Sequence, residues 1–405
     1  MEGLKPSYKT IANFRKDNAK ALQKVNKDFV VLCKELELFA GELAGIDGSF
    51  FRASASKASI QRKEQLKKEI ERIEKEIENY QQALNDRDQE DACQGVGSLV
   101  EDAELSETLE ALKSRQADGQ ALLENMEAQG ETQHSRTDKD ARLLSKSGQK
   151  VAGYNVQTSV DSQHKLIISH EVTNDGNDTR QLLPMAKQTL DTLESETLTV
   201  VADSGYYNQI QIRDCIAEGI TPYVAIPDKS KAIQSQGRFT REQFKFNVEQ
   251  NQYLCPANQI LKQIGNPYQK GDKTMRRYAS TGNVCGQCEL KGQCLPEKGK
   301  IRQLNRWEDE HIVEEHKERM KAKGKEMMRL RSGIAEHPFG TLKRWFGWDH
   351  FLVRGFTKVR GEMSIMVLGY NLLRVFNIIG IKKFRGYCAL RKELTETSTE
   401  YSIAA

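Results

Sequence analysis

Three carboxylates and four thiols are the side chains whose types and spacing could do chemistry in this sequence. Asp203 closes the apolar, β-branched run TLTVVADSGYYN at 197–208, and a core strand gains nothing from a charge at its end. A sheet edge that must hold a cation gains a great deal. Asp47, in GIDGSFF, likewise follows an apolar residue and precedes a glycine. Aspartates at neighbouring strand ends form a hard, oxygen-only donor set suited to Mg²⁺ or Mn²⁺. Phosphodiester chemistry commonly uses two such ions, one at the attacking oxygen and one at the leaving oxygen, and a third carboxylate holds the second ion. Glu336, in RSGIAEHPFGTLKRWFGW, is the acid in the most basic part of the chain. On a continuous helix Glu336 and Lys343 would share a face. Pro338 disfavours helical geometry at His337, which puts Glu336 at the start of a helix instead.

Each carboxylate also has an ordinary use. Asp47 before Gly48 suits a turn, Asp203 before Ser-Gly suits a helix cap, and Glu336 suits an ion pair in a basic helix. Asp161 competes with Asp47 as first ligand. It ranks lower because it belongs to the second strand, and Asp161-Ser-Gln-His164 reads as a hairpin tip.

The thiols are Cys255 and the set Cys285-x2-Cys288-x5-Cys294, in a polar, glycine-rich stretch. Four thiolates suit tetrahedral zinc, and with four protein ligands such a site is structural. The alternative is four unligated cysteines in an irregular insertion. Cys33, Cys93, Cys215 and Cys388 are isolated and read as packing residues. His311 and His316, five apart, do not share a helix face.

These residues need a scaffold, and the periodicity supplies one. Residues 8–39 repeat apolar positions at three- and four-residue steps and predict a helix. A strand ending near Asp47 follows. Leu66, Ile70, Ile73, Ile77, Tyr80 and Leu84, then Leu105, Leu109, Leu112, Leu122 and Met126, predict an antiparallel helical hairpin separated by segment 85–98. Its simplest role is an arm or dimerisation device. From 150 the pattern predicts two strands (YNVQTSV and KLIISHEV), a helix over DTRQLLPMAKQTLDTL capped by Asp178 or Thr179, the strand ending at Asp203, a helix over 206–218 and a strand in ITPYVAIP. Three successive strands, a helix and a fourth strand form a mixed sheet in which the first and fourth strands can lie side by side, bringing Asp47 to Asp203.

The expected organisation is an N-terminal helical segment at 1–40, the first strand of the catalytic domain at 41–56, a hairpin insertion at 57–136 and the catalytic core at 137–227. A Cys-containing insertion at 228–310, C-terminal helices at 311–385 and a tail at 386–405 complete it. The net charge of +4 does not by itself argue for nucleic acid. Between Lys317 and Arg360, however, twelve Lys or Arg face four acids, a polyanion-facing excess or a solvated helical face. Trp345 and Trp348, beside Lys343 and Arg344, suit stacking on an unpaired base or core packing. No run approaches the roughly 20 apolar residues of a membrane span, and the N-terminus lacks the apolar core of a signal peptide. A cytoplasmic protein with reduced thiols is expected.

IDGSFFRASASK, GYNVQTSVD, VTNDGNDTRQLLPM, VADSGYYN, EHPFGTLKR and EMSIMVLGYNLLRV occur in this order in bacterial insertion-sequence transposases, which the chain resembles from about residue 8 to 380. The resemblance implies an α/β, RNase H-like mixed sheet with flanking helices and a DDE triad of Asp47, Asp203 and Glu336 holding two Mg²⁺ or Mn²⁺ ions. It implies cleavage at transposon ends and strand transfer, with terminal inverted repeats and target DNA as partners, acting as a homo-oligomer. It places an insertion domain between the second aspartate and the glutamate, where the cysteines lie. Lys343 matches the lysine of the Y-R-E-K signature. No tyrosine stands at the signature spacing, Ser332 takes the arginine position, and Arg331 is one residue out of register. Arg331, Lys343 and Arg344 are the expected DNA contacts. Relatives usually carry a further N-terminal helical domain, so the chain reads as a shortened transposase. A metal-dependent nuclease without strand transfer, and a non-catalytic remnant that binds DNA or dimerises, are the alternatives.

Overall fold

The structure, a computed structural model, describes residues 5–94, 99–146, 148–228 and 230–403. Its centre is a sheet of five principal strands: β1 (Leu43–Arg52), β2 (Gln149–Asp161), β3 (Ile167–Thr173), β4 (Leu198–Ala202) and β5 (Ile220–Val224). β2 lies antiparallel to β1 and to β3, while β4 is parallel to both β1 and β5. The resulting order, β3-β2-β1-β4-β5, is RNase H-like. A short strand, Arg142–Lys146, extends the β3 side by pairing with the start of β2.

Alternation along β1 decides the layers, because successive side chains leave opposite faces. Ala44 and Ile46 enter a core with Val200 and Ala202, covered by helices Leu182–Leu193 and Gln209–Ala217 through Leu182, Met185, Ala186 and Ile212. Phe51 enters the opposite core with Tyr154, Val156 and Val160, covered by helices Glu310–Gly340 and Phe356–Ile379 through Ile334, Phe339, Met363 and Val367. Each fully buried Val, Leu, Ile, Phe or Met among these contributes about 1.5–3 kcal/mol. β1 does not end near Asp47 as expected: it runs on to Arg52 because its second half is paired throughout with β2.

The N-terminal pattern forms two helices, Tyr8–Asp17 and Ala19–Glu35. They break at Asn18, whose side chain donates to Phe14 O at 2.9 Å. The second helix crosses Phe356–Ile379 closely at Ala19 and Gly361, where a Cβ on Gly361 would come within 2.6 Å of Ala19 Cα. Helix Phe356–Ile379 is, by length and composition alone, apolar enough to cross a membrane. Here Val359, Met363, Val367 and Tyr370 pack into the sheet core.

The hairpin insertion stands on a two-stranded ribbon, Ile60–Arg62 with Gln133–Ser135. Its helices, Lys63–Gln94 and Leu99–Ala128, pack through Leu66, Ile70 and Met126 and through Ile73, Ile77, Leu109 and Leu112. The segment expected to separate them is helical up to Gln94. The side chains of Leu84, Cys93 and Leu105 lie outside the described residues.

The second insertion is not irregular. It holds a five-stranded antiparallel sheet, Lys245–Asn247, Gln252–Leu254, Ile260–Lys270, Lys273–Ala279 and Gln303–Trp307, around Phe244, Tyr253, Leu261, Tyr278 and Leu304. Arg306 fastens this sheet to helix Glu310–Gly340 by two bonds to Glu314, at 2.5 and 2.8 Å, and stacks 3.8 Å above the Phe246 ring.

Candidate functional site

β1 and β4 pair in parallel with Leu43 opposite Thr199, Ala44 opposite Val200 and Gly45 opposite Val201. Continued by two places, that register sets Asp47 level with Asp203. Neighbouring strands lie about 4.8 Å apart. Both side chains leave on the face of Gly45 and Val201. Gly45 is where helix Glu310–Gly340 rests on β1: a Cβ there would meet Ile334 Cγ2 at 2.7 Å and Ala335 Cβ at 3.3 Å. Glu336 follows Ala335 directly, so the absent side chain at position 45 lets the glutamate's helix approach the aspartates.

Glu336 is not at the start of a helix. It lies near the end of Glu310–Gly340, which continues through Pro338. A wider π-helical turn, Thr341–Trp345, follows the proline, consistent with the hydrogen bond that proline cannot donate. That turn carries Lys343 back to β1. Its Nζ donates to Ser49 Oγ at 2.6 Å and to Phe50 O at 2.5 Å, and lies 4.5 Å from the Phe51 ring centre. Lys343 therefore anchors the helix end to the strand of Asp47, and Arg344 and Trp345 point outward, the indole 87% exposed. Trp348 is partly buried against the core.

Arg331 occupies the space between two expected ligands. Its Nη1 is 3.8 Å from Asp47 Oδ2, and its Nη2 is 3.2 Å from Glu336 Oε1. Ser332, at the signature's arginine position, donates to the same Glu336 oxygen at 3.1 Å. Arg331 thus reaches the glutamate although its place in the sequence is displaced by one.

Asp203 does cap a turn: its Oδ1 accepts from Gly205 N at 2.8 Å, closing the 3-10 turn Ser204–Tyr206. Among the described residues its Oδ2 takes no hydrogen bond. Asp47 Oδ1 accepts from Gly48 N at 2.9 Å. Asp161, the competing first ligand, is fully buried. It is consumed by the backbone amides of Ala40, Gln163 and His164 at 2.9, 2.8 and 2.7 Å, which leaves it no free edge for a cation.

The sequence reading missed a network behind the two aspartates. Asp178 does not cap the following helix, which starts at Leu182 with no side-chain cap. Its Oδ1 instead accepts from Asn155 Nδ2 at 2.8 Å and Gln157 Nε2 at 2.6 Å. Gln157 Oε1 in turn accepts from the buried Tyr206 hydroxyl. Burial pushes the Tyr206 phenol well above its usual range. The charges of Asp178, Asp47 and Asp203 push it further, and Arg331 opposes them. The signal was present in NDGNDTR and SGYYN, but assigning Asp178 to a helix cap concealed it.

The donor chemistry fits Mg²⁺ or Mn²⁺: carboxylate oxygens only, at a place where the protein itself sets a positive guanidinium. Among the described residues, no three His, Cys, Asp or Glu are already drawn around one metal position. Glu336 is turned to Arg331 and half exposed. The four cysteines line one pocket, together with Phe239, Leu261 and Leu295. Cys255 stands at a tight turn in which Gln259 N donates to its Sγ at 3.3 Å. Burial raises the Cys294 thiol, and Cys285, Cys255 and Cys288 add to the rise. The seven described cysteines form no disulfide, and Cys33 and Cys215 are buried packing residues as expected.

The sequence model of the family described as transposase DDE domain matches residues 125–372. Asp203 and Glu336 fall inside the match, and Asp47 precedes it. A solved structure, the cryo-EM structure of a piggyBac transposase synaptic complex with hairpin DNA, is similar at 11% identity over 59% of this chain and 43% of that one, with a TM-score of 0.27. The chain thus spans less than half of that transposase's length. No curated protein matches the chain.

Proposed function

The chain belongs to the DDE transposase family, and from that premise we propose that it cuts DNA at transposon ends and joins the freed 3′ ends to target DNA. One observation carries this reading: the parallel register of β1 and β4, continued two places beyond Gly45 and Val201, sets Asp47 level with Asp203, and the helix bearing Glu336 packs on the same face of β1 through Gly45.

Asp47, Asp203 and Glu336 would hold Mg²⁺ or Mn²⁺. The bound ions supply charge neutralisation at the attacking and leaving oxygens of an in-line displacement. The remaining tasks fall to the protein. The two strands fix the aspartates. Glu336 turns from Arg331 toward them, a rotation open to it because the side chain is half exposed. The released Arg331 guanidinium and the outward Arg344 meet backbone phosphate, and the Trp345 indole offers a face on which a base can stack. Lys343 holds the helix end in place. In this reading water is the nucleophile in cleavage and the new 3′-hydroxyl in joining. The protein acts as a homo-oligomer on DNA in the cytoplasm, and Cys255, Cys285, Cys288 and Cys294 hold a structural zinc.

The test is incubation with Mg²⁺, DNA carrying the flanking element ends and a supercoiled target. Both cut ends and joined products are expected. Cut ends without joined products would make the chain a nuclease. Neither product from folded protein would overturn the reading.

A further inference from the structure

The aspartate at 178 lies outside the triad, yet the fold invests two amide side chains in holding it. We infer that Asp178 is a positioning residue that sets the separation of Asp47 and Asp203 through Gln157 and Tyr206. This rests on the proposed reading of the site and deepens it.

The path is continuous. Gln157 sits on β2 directly opposite Gly48, the residue after Asp47. Its amide lies so close that a Cβ on Gly48 would fall 2.3 Å from Gln157 Nε2 and 2.9 Å from Asp178 Oδ1. The glycine is therefore required in mid-strand not for a turn but for the passage of this amide. On its other side Gln157 takes the hydroxyl of Tyr206, which ends the 3-10 turn begun by Asp203. Gly205 in that turn closes the circuit, because a Cβ there would lie 2.9 Å from Asp203 Oδ1 and 3.7 Å from Asp178 Oδ2. The strand of Asp47 and the turn of Asp203 are thus joined twice, once through the backbone hydrogen bonds of the sheet and once through this side-chain bridge.

An amide can rotate by 180° and exchange its donor for its acceptor. Asp178 removes that freedom: a carboxylate oxygen accepts only, so it fixes Gln157 Nε2 toward itself and Gln157 Oε1 toward Tyr206. Asn155 Nδ2, at 2.8 Å from the same oxygen, holds the carboxylate in place. Without the carboxylate Gln157 Nε2 loses its 2.6 Å bond and keeps only the longer one to Asn155 Oδ1, at 3.1 Å, so the acceptor of Tyr206 and the turn that aims Asp203 are less firmly held.

An asparagine at 178 can keep its carbonyl oxygen where Oδ1 stands and accept from both amides, whereas alanine cannot. Mn²⁺ binding without DNA, followed by electron paramagnetic resonance, and Mn²⁺-dependent cleavage should therefore agree. Asp178→Ala is expected to weaken Mn²⁺ binding and slow cleavage by ten-fold or more. Asp178→Asn is expected to stay within about three-fold of the unaltered protein. Tyr206→Phe, which keeps the ring and the fold, is expected to fall between them. If Asp178→Asn is as impaired as Asp178→Ala while the unaltered protein binds Mn²⁺, the charge and not the hydrogen bond is what matters, and the inference is overturned. An unimpaired Asp178→Ala overturns it too. If Asp178→Ala does not fold, Tyr206→Phe with undiminished Mn²⁺ affinity has the same force. Failure of the unaltered protein to bind Mn²⁺ at all would instead remove the reading of the site, and the inference with it.

Discussion

Arg331 stands 3.8 Å from Asp47, its guanidinium filling the gap between that aspartate and Glu336. The side chain is only 16% exposed, so the pair is poorly screened by solvent. A cation of the protein's own therefore neutralises carboxylates that would otherwise repel one another. Arg331→Gln should lower the metal-free melting temperature slightly, since a solvent-exposed ion pair such as that with Glu336 contributes up to about 1 kcal/mol. The rise in melting temperature on adding Mg²⁺ should then exceed that of the unaltered protein, because the added ion relieves a repulsion no longer relieved from within. Calorimetry with and without Mg²⁺ measures both. Equal Mg²⁺-induced rises would show that Arg331 and the ion act at different places.

Lys343 and Arg344 are neighbours in the chain with different expected effects. Lys343 is engaged with Ser49, Phe50 and Phe51, whereas Arg344 faces solvent. Arg344→Ala should reduce the slope of log affinity against log salt by about one while leaving stability unchanged. Lys343→Ala should instead lower stability, by about 1–3 kcal/mol for a charged group's lost hydrogen bonds. Binding to a DNA end over a salt series, paired with denaturant unfolding, separates them. A full unit of slope lost in Lys343→Ala with stability intact would place Lys343 on the DNA.

That the strands of Asp47 and Asp203 lie side by side was legible because strands carry a two-residue period, although the end of β1 was not. The approach of Glu336 was legible only through family resemblance. Its position depends on Gly45 and Ile334, residues almost three hundred apart that carry no local signal of contact. Pro338 misled because a proline rule is local, whereas the helix end is held through Lys343 and β1. The sheet of the second insertion was missed because strands such as Ile260–Lys270 carry mostly exposed polar residues and show little alternation. Asp178 was misread for a related reason: the same residue type suits a helix cap and a buried network, and only the tertiary fold selects between them.

The cysteine pocket gives a prediction independent of DNA. Protein purified without chelator should contain one zinc per chain by elemental analysis, and Cys288→Ser should lose it. Because metal binding at a structural site is coupled to folding, chelation should also lower the melting temperature of the unaltered protein. Metal-free protein with an unchanged melting temperature would leave the four thiols as ordinary packing residues.

His170 is expected to make the fold sensitive to acid. Burial lowers its imidazole to about 4, with Lys27 contributing, and its Nε2 lies 3.1 Å from Ser364 Oγ. The unfolded chain takes up this proton near pH 6.5, so between about 6.5 and 4 the unfolded state binds more protons than the folded one. Stability contributed by the neutral ring is complete above that window and falls as pH drops through it, by up to about 1.4 kcal/mol per pH unit. His170→Gln should flatten the fall in unfolding free energy between pH 6.5 and 4.5, measured by denaturant titration. An unaltered slope would assign the acid sensitivity to other groups.

In the proposed function Asp203 ends its strand as part of a working cation site. That role is tested most directly by Mg²⁺- or Mn²⁺-dependent cleavage of DNA bearing the element ends, comparing the unaltered protein with Asp203→Ala at matched folding. Metal-dependent cuts by the unaltered protein are expected, with a loss of at least a hundred-fold, about 2.7 kcal/mol of barrier, in the variant. Equal cleavage by the two proteins would contradict it.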